Sequence, residues 1–281
     1  MKILFYGNCQ IGAISDIIKK TVQNYSTTLI LCWIENIDKN YFTEKIKEAD
    51  IIITQPINPN YRNADYLDTE FILKNAKSEA KIIIVPSLYF NFYYFDLTYK
   101  TLNNSELLRI PSDYHYNAII NNYDLNNNSI FNQINDVNLK SKEELQNIAL
   151  ASIKELEKRE NEMMSYNNLH KCDIISVSNY INNNYKNTLL FYSMNHPTKY
   201  LFHFIAKKII KILDIDDLNN YNIDPLESNE RGILYKCIQN VVNFDITKHA
   251  PRLCKYDLEI KEKIIDKYIE IYNEIDLKSK L

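Results

Sequence analysis

Short apolar runs alternate with amphipathic segments along the first hundred residues. Runs rich in Ile, Leu and Val are typical of buried strands, and they predict strands at Lys2–Tyr6, Thr28–Trp33, Ala49–Thr54 and Lys81–Val85. Apolar residues at helical spacing predict helices between these runs, at Ile11–Val22, Thr43–Glu48 and Asp68–Asn75. Continuous apolar strands separated by helices favour a parallel sheet with helices on its faces. The pattern therefore predicts an α/β fold.

The pattern becomes mainly helical after about residue 100. Tyr114–Asn128 predicts a short helix followed by an Asn-rich loop. Ser141 and Glu144 have the spacing of a capping box, so a long amphipathic helix is expected to begin there. The charge run at Glu155–Glu160 on this helix is typical of a solvated face. We therefore predict a mainly helical insertion at about 100–185.

One more strand and two more helices are predicted towards the C-terminus. Leu189–Tyr192 predicts a return to the sheet, and a helix follows it to about Leu213. Asp257–Ile275 predicts an amphipathic helix, which forms a C-terminal helical extension and is compatible with a homo-oligomer interface. With no repeat and no Pro-, Gly- or Ser-rich linker, we predict one α/β domain over residues 1–281: a parallel sheet flanked by helices, with the helical insertion.

Composition excludes several classes of protein. The formal net charge of −3 gives no basic surface for nucleic acid. No stretch approaches the roughly 18–20 apolar residues of a membrane span, so an integral membrane protein is not expected. The first apolar run is too short for a signal peptide. The five cysteines are scattered and form no Cys-x-x-Cys pair, which favours free thiols in a reducing compartment and predicts a cytoplasmic protein.

The three glycines are unevenly placed, because two of them lie within the first twelve residues. Gly7 and Gly12 flank Asn8-Cys9-Gln10, between a predicted strand and a predicted helix, so unusual backbone freedom is expected there. A sharp strand-to-helix turn can present a nucleophile, and a helix N-terminus can lower a cysteine pKa from about 8.5 by one or more units. The alternative is a small buried cysteine in a tight turn.

Three further polar residues follow predicted strands. Because the carboxyl ends of parallel strands converge on one crevice, we expect His196 to meet Cys9 there. Gln55 ends the third predicted strand, where its amide is a candidate oxyanion donor or substrate-orienting group. Ser87 follows the fourth predicted strand in the same way. The alternatives are a helix-capping histidine and ordinary polar strand ends.

Motifs for nucleotide hydrolysis and metal binding are missing from the sequence. Gly7 and Gly12 have the spacing of P-loop glycines, but the Lys-Ser/Thr that a P-loop requires does not follow them. The sequence contains no His-Glu-x-x-His and no carboxylate cluster with metal-ligand spacing. We therefore predict a mechanism that uses no metal.

Four segments together resemble the WcbI family, whose members are capsule polysaccharide-biosynthesis proteins regarded as acetyltransferases that bind coenzyme A. The segments are Tyr6–Gln10, Gln55, Lys158–Glu160 and Leu190–Thr198. Their order and spacing match over about residues 1–215, and Gly-Asn-Cys-Gln and Asn-His-Pro are the specific parts. The layout is also similar to that of SGNH-type hydrolases, with Cys9 in place of the nucleophilic serine. Those hydrolases carry an Asp three residues before the His, where this chain has Ser193.

The resemblance implies transfer of an acyl group, with acetyl expected, from coenzyme A to a sugar hydroxyl of a capsular or other surface polysaccharide precursor. Cys9 and His196 are the implied catalytic pair. The other implied site residues are Asn8, Gln10, Gln55 and Asn195 as oxyanion-binding or orienting groups, Gly7, Ser87, Arg159 and Lys199 as coenzyme A contacts, and His115 on the substrate side.

Two other functions use the same features. An SGNH-like esterase or deacylase would release the acyl group of an acylated sugar to water, with the same cysteine and histidine. A non-catalytic sugar-binding module of a polysaccharide assembly system would need neither residue for chemistry.

Overall fold

The computed structural model describes residues 1–22, 25–123, 127–215 and 223–281. The strands are β1 (Lys2–Gly7), β2 (Ser26–Leu31), β3 (Ile51–Thr54), β4 (Lys81–Ile84), β5 (Leu97–Thr98), β6 (His115–Tyr116), β7 (Cys172–Ile174), β8 (Phe191–Ser193) and β9 (His196–Pro197). The helices are α1 (Cys9–Thr21), α2 (Lys39–Glu48), α3 (Thr69–Asn75), α4 (Asn117–Asn122), α5 (Asn127–Asn135), α6 (Lys142–Met163), α7 (Ser178–Asn184), α8 (Lys199–Leu213), α9 (Lys261–Glu274) and α10 (Leu277–Lys280).

Five parallel strands form the main sheet, in the order β2-β1-β3-β4-β7. Helices flank the sheet, so the predicted α/β class is confirmed. The chain runs from β1 to β2 on one side and then continues with β3 on the other side of β1, so the strand order reverses between β1 and β3. In open α/β sheets, ligands bind outside the carboxyl ends of the strands at such a switch point.

Both faces of the central strands are buried. Leu4 and Tyr6 of β1 and Ile52 of β3 belong to a core cluster that includes Phe42 of α2 and Ile72 of α3. Strand alternation places the intervening side chains on the opposite face, and α1 and α8 pack against each other. Because neither face is solvated, these strands read as continuous apolar runs.

The packing divides the chain into two compact units. The first consists of Met1–Leu88, Ile153–Asn182 and Pro197–Leu226, and it contains the five-stranded sheet. The second consists of Tyr89–Ser152, Asn183–His196 and Glu227–Leu281. The insertion predicted at about 100–185 overlaps the second unit only in part, because residues 153–182 belong to the first.

Aromatic side chains form the core of the second unit. Phe90 contacts the rings of Phe92, Tyr93 and Phe191, and the side chains of all four are at most 1% exposed. Phe90, Phe92, Tyr93 and Tyr94 of this aromatic-rich segment are therefore core residues, whereas Tyr89 and Phe95 are half-buried and Tyr99 is exposed.

Two predictions from the sequence are wrong. The fifth strand of the sheet is β7, parallel to β4, whereas β8 pairs with β9 in a separate two-stranded sheet. The sequence of β7, Cys-Asp-Ile, is only three residues long and has a charged centre, so no apolar run marks it. The second wrong prediction is the Asn-rich loop at the end of Tyr114–Asn128, because α5 begins at Asn127. Residues 124–126 of that predicted loop lie outside the described residues.

Within the described ranges, no helix combines the length and apolar character that crossing a membrane requires.

Candidate functional site

The turn from β1 to α1 is built by Asn8. Its side-chain Oδ1 accepts a hydrogen bond from the backbone N–H of Gln10 at 2.8 Å, which makes Asn8 the N-cap of α1. Its carbonyl accepts from the backbone N–H groups of Ile11 and Gly12 at 3.0 and 3.2 Å. Asn8 therefore ends the strand and begins the helix within one residue.

Cys9 is the first residue of α1 and lies at the carboxyl edge of the sheet, where the strand order reverses. Its thiol is free and half-buried. Burial raises the pKa of the Cys9 thiol, and the backbone N–H groups of Cys9 and Gln10 lower it by a smaller amount. The expected lowering of this pKa is therefore wrong in direction, because desolvation outweighs the helix N-terminus.

Gln55 and Gln10 hold this turn against two neighbouring strands. Gln55 Oε1 accepts from the backbone N–H of Asn8 at 3.0 Å, and Gln55 Nε2 donates to Gln10 Oε1 at 2.9 Å. Gln10 in turn bonds both backbone groups of Leu88, which follows β4. Both glutamine side chains are 2% exposed. Their hydrogen bonds give them a positioning role around Cys9.

Of the two early glycines, only Gly7 is required by its surroundings. A Cβ atom at Gly7 would lie 2.6 Å from Ile11 Cγ1 and 2.7 Å from Gln55 Oε1. A Cβ atom at Gly12 would lie 3.6 Å from Leu31 Cδ2, an ordinary van der Waals contact. Gly12 is an interior residue of α1, so the expected need for backbone freedom does not extend to it.

A cavity of about 600 Å³ opens beside the carboxyl ends of β3 and β4. Pro56, which follows β3, and Ser87, which follows β4, line one side, and Arg159 of α6 lines the cavity as well. Ser87 directly precedes Leu88, the partner of Gln10, but Cys9 is not among the residues that line the cavity. Two of the four residues implied as coenzyme A contacts, Ser87 and Arg159, are therefore brought to one cavity of the first unit.

The charges around this cavity are partly paired. Arg159 Nε lies 2.9 Å from Glu155 Oε1, one turn earlier on α6. Two carboxylates, Glu70 and Glu162, also line the cavity, and both have lysine partners on their own helices, at 2.9 and 3.8 Å. Among the described lining residues, the positive charge comes from the guanidinium of Arg159, which is paired with Glu155 at one edge.

Glu160 departs from the solvated face that the charge run predicts. Its side chain is 7% exposed and accepts from the hydroxyls of Ser176 and Ser178 at 2.6 and 2.7 Å. It also accepts from the backbone N–H groups of Val177 and Ser178 at 2.7 and 2.9 Å. Glu160 thus ties α6 to the start of α7, a role that depends on residues 16 to 18 positions away.

His196 lies in the second unit, beside Tyr114. The Tyr114 hydroxyl is 3.4 Å from His196 Nε2, and the two rings meet edge to face. The same hydroxyl donates a short hydrogen bond to Asn195 Oδ1, and Asn195 Nδ2 donates to Tyr99 Oη at 3.0 Å. The Tyr114 hydroxyl, whose proton goes to Asn195, therefore lies beside the imidazole of His196.

The environment of His196 favours the neutral imidazole. Burial lowers the pKa of His196, and the backbone of Glu230 opposes the shift without forming a hydrogen bond of ordinary geometry to Nδ1. Nδ1 is buried and has no partner within the described part of the chain. Asn195 is thus linked to the imidazole through the Tyr114 hydroxyl.

Glu230, whose backbone contacts His196, is a titratable group that the sequence did not predict. Burial is the main cause that raises the pKa of Glu230 to about 7; a hydrogen bond from Ser112 opposes the shift, and the charge of Asp113 adds to it. No local motif marks this residue, because its environment comes from a segment more than a hundred positions earlier.

The remaining implied residues lie in different settings. His115 is fully buried, with Nδ1 bonded to the Tyr272 hydroxyl and Nε2 bonded to the Leu108 carbonyl, so its imidazole is a core group of the second unit. Lys199 begins α8 and is not among the residues that line the Arg159 cavity. No group of three or more His, Cys, Asp or Glu side chains suited to a metal is found among the described residues.

The sheet order and the β1–α1 turn define an α/β protein that presents a cysteine at the switch point of a parallel sheet. A family model described as "Polysaccharide biosynthesis enzyme WcbI" matches residues 2–218. The chain belongs to this family of polysaccharide biosynthesis enzymes, as the sequence resemblance predicted.

A comparison with solved structures supports the fold. The chain is similar to a protein described as WcbI, a novel polysaccharide biosynthesis enzyme, in a native form without a disulfide bond between coenzyme A and one of its cysteines. The match has a TM-score of 0.80 and 19% sequence identity, and covers 99% of this chain and 92% of the other. A comparison with curated proteins finds no match.

Proposed function

We propose that this chain transfers an acyl group, acetyl in the first instance, from coenzyme A to a sugar hydroxyl during the synthesis of a capsular or other surface polysaccharide. The observation that carries the proposal is the free, half-buried thiol of Cys9 at the switch point of the sheet. Exchange of an acyl group between two thiols is nearly isoenergetic, so a cysteine suits a thioester donor. Membership of the polysaccharide biosynthesis family and the coenzyme A named for the similar solved protein support it.

The donor would be held in the first unit. The cavity of about 600 Å³ is within the ~300–1,000 Å³ range of small-molecule sites and would take part of coenzyme A. Arg159 would bind a phosphate by charge-assisted hydrogen bonds, with the Ser87 hydroxyl as a further donor. Lys199, at the start of α8, is a second candidate cation for a phosphate. Gly7 contributes by keeping side-chain atoms out of the turn.

The chain's own residues supply nucleophile, base and donors. His196 accepts a proton, either from the Cys9 thiol or from the sugar hydroxyl, and the neutral imidazole suits that task. Cys9 either takes the acyl group as a thioester, with coenzyme A leaving as its thiol, and passes it to the sugar oxygen to regenerate its own thiol, or positions the donor for direct transfer in which coenzyme A leaves as its thiol. Because Asn8 Oδ1 is bonded to Gln10, Nδ2 is the donor that Asn8 has for an oxyanion. Loss of one such donor typically costs about 3 kcal/mol.

Intact-protein mass spectrometry after incubation with acetyl-CoA tests the proposal. We expect a gain of one acetyl group, mapped by peptide analysis to Cys9 and absent from Cys9→Ser. The exposed Cys254 provides the matched control, so Cys254→Ser should still be acetylated. Transfer should then be seen as loss of the label when an acceptor sugar is added.

The same samples distinguish the two other functions. A deacylase would lose the acetyl group to water at the same rate with and without an acceptor sugar. A binding module would show no label, and Cys9→Ala and His196→Ala would leave polysaccharide acylation in the cell unchanged. Direct transfer without a labelled cysteine would appear as acetylated sugar whose formation still requires His196.

A further inference from the structure

The second unit contains a cavity of its own. It has a volume of about 490 Å³, within the range of small-molecule sites, and much of its wall is apolar. The apolar lining residues are Val137, Ile233, Leu234, Ile246, Ala250 and Pro251. A wall of this kind favours a ligand with a hydrocarbon body, because covering apolar surface is worth about 25 cal/mol per Å².

Lys261 brings a positive charge to this apolar cavity, and no carboxylate of the described residues pairs with it. Its Nζ lies 2.7 Å from Asn135 Oδ1 and 5.3 Å from the centre of the Phe131 ring. Neither partner carries a negative charge. Lys236 also lines the cavity, and the described residues in its wall include no Asp or Glu. Within the described ranges, neither lysine forms an ion pair.

The surroundings of Lys261 disfavour its charged form. Burial lowers the pKa of Lys261, and the charge of Lys236 lowers it further, whereas the adjacent Glu262 raises it. A half-buried ammonium that is bonded only to an amide and an aromatic face gains more from an anion than an exposed lysine does. The cavity therefore combines an apolar wall with an unneutralised cationic corner.

We propose that this cavity binds a small amphipathic anion, a carboxylate or phosphate monoester with a hydrocarbon body, whose charged group lies between Lys261 and Lys236. The hydrocarbon part lies along Ile233, Leu234 and Ile246. Most of the lining lies beyond residue 218, where the family match ends, and the site uses none of the residues proposed for acyl transfer. The two proposals therefore stand or fall separately.

Isothermal titration of the full chain with octanoate, octyl phosphate and octanol tests this proposal. All three share the hydrocarbon chain, and only the first two carry a negative charge. We expect both anions to bind at least tenfold more tightly than octanol, and the tighter of the two identifies the preferred headgroup. Lys261→Met should weaken the anions at least tenfold and leave octanol unchanged. Lys236→Met, at an exposed position, should weaken them by a smaller factor.

Lys263→Met is the matched control on the same helix, because Lys263 does not line this cavity. A second readout needs no variant: octanoate should protect Lys261 of the unmodified protein from reductive methylation, and Lys263 should remain reactive. Equal affinity for octanol and octanoate would overturn the proposal. So would the absence of anion binding to the wild-type chain, or equal losses in Lys261→Met and Lys263→Met.

Discussion

The side chain of Gln10 pairs with the backbone of Leu88 as a neighbouring strand would. Nε2 donates to the Leu88 carbonyl at 2.8 Å, and the Leu88 N–H donates to Oε1 at 2.9 Å. Both residues are at most 2% exposed, and they are 78 positions apart in the chain. Gln10 thus fastens the first turn of α1, which carries Cys9, to the segment that follows β4.

Removing the Gln10 amide should destabilise the fold. Gln10→Ala leaves two buried backbone groups of Leu88 unsatisfied, so we expect a loss of about 2–4 kcal/mol in the free energy of unfolding. Gln10→Glu should also destabilise, because a carboxylate oxygen would face the Leu88 carbonyl. Urea unfolding measures both. Gln146→Ala, at a half-buried glutamine of α6, should change stability by less than about 0.5 kcal/mol. Equal losses in Gln10→Ala and Gln146→Ala would contradict this role.

The two early glycines form a matched pair of substitutions. Gly7→Ala should destabilise by more than about 2 kcal/mol, because its Cβ atom would overlap Ile11 and Gln55. Gly12→Ala should be neutral or stabilise by about 0.5–1 kcal/mol, since the site is helical and has room for a methyl group. Thermal unfolding of both variants checks the contrast. A stable Gly7→Ala would show that the turn relaxes around the added atom.

Cys9 should react more slowly at neutral pH than an unstructured cysteine. Burial raises its pKa, so a smaller fraction is thiolate at pH 7 than in a free-cysteine peptide. Alkylation by iodoacetamide, followed at Cys9 by peptide mass spectrometry, should therefore still be accelerating above pH 9. The same measurement in urea should give the faster, unperturbed profile. A rate that reaches its plateau below pH 8 would mean a lowered pKa.

Tyr114→Phe tests the orientation of His196. Only the hydroxyl is lost, so we expect stability to change by about 1 kcal/mol and kcat for acyl transfer to fall about ten- to a hundredfold. KM should change little, and the pH profile should shift because the contact between the Tyr114 hydroxyl and the imidazole of His196 is lost. Tyr99→Phe is the control, since the Tyr99 hydroxyl contacts Asn195 and Tyr114 and its loss leaves the Tyr114 hydroxyl beside the imidazole in place. If Tyr99→Phe lowers kcat as much, the effect is not specific to the imidazole.

Glu230 should make stability depend on pH. Its pKa in the folded chain is about 7, above the ordinary 4.5, so the folded state holds the proton more tightly and loses stability as pH rises between these values. Glu230→Gln has no charge to bury. Between pH 5 and pH 8, the free energy of unfolding of Glu230→Gln should rise by up to about 3 kcal/mol relative to that of the wild type, as measured by urea unfolding. Glu227→Gln, at an exposed position, is the control, and its free energy of unfolding should depend on pH as that of the wild type does.

The sheet was predictable where its strands are buried on both faces. β1, β3 and β4 appear as apolar runs, and their positions agree with the structure to within one or two residues. β7 escaped prediction because it is short and carries Asp173 at its centre. The apolar Leu189–Tyr192 run was assigned to the sheet instead, since an apolar run does not reveal which strand it pairs with.

The candidate site was predictable only at its starting point. The Asn-Cys-Gln turn with Gly7 before it marks Cys9 from local sequence alone. Its partners are non-local: Gln55 bonds the Asn8 N–H from 47 positions away, and Glu230 is set among residues more than a hundred positions distant. No local pattern encodes such contacts.

The amino-acid sequence by itself determined the alternation of strands and helices, the family, and the thiol at the start of α1, because hydrophobic period and turn chemistry act over a few residues. Only the tertiary structure decided that the Cys9 pKa rises, that the Gln10 side chain hydrogen-bonds the backbone of Leu88, and that Lys261 lines an apolar cavity. Burial and electrostatics depend on which distant segments pack together, and that is a property of the folded chain.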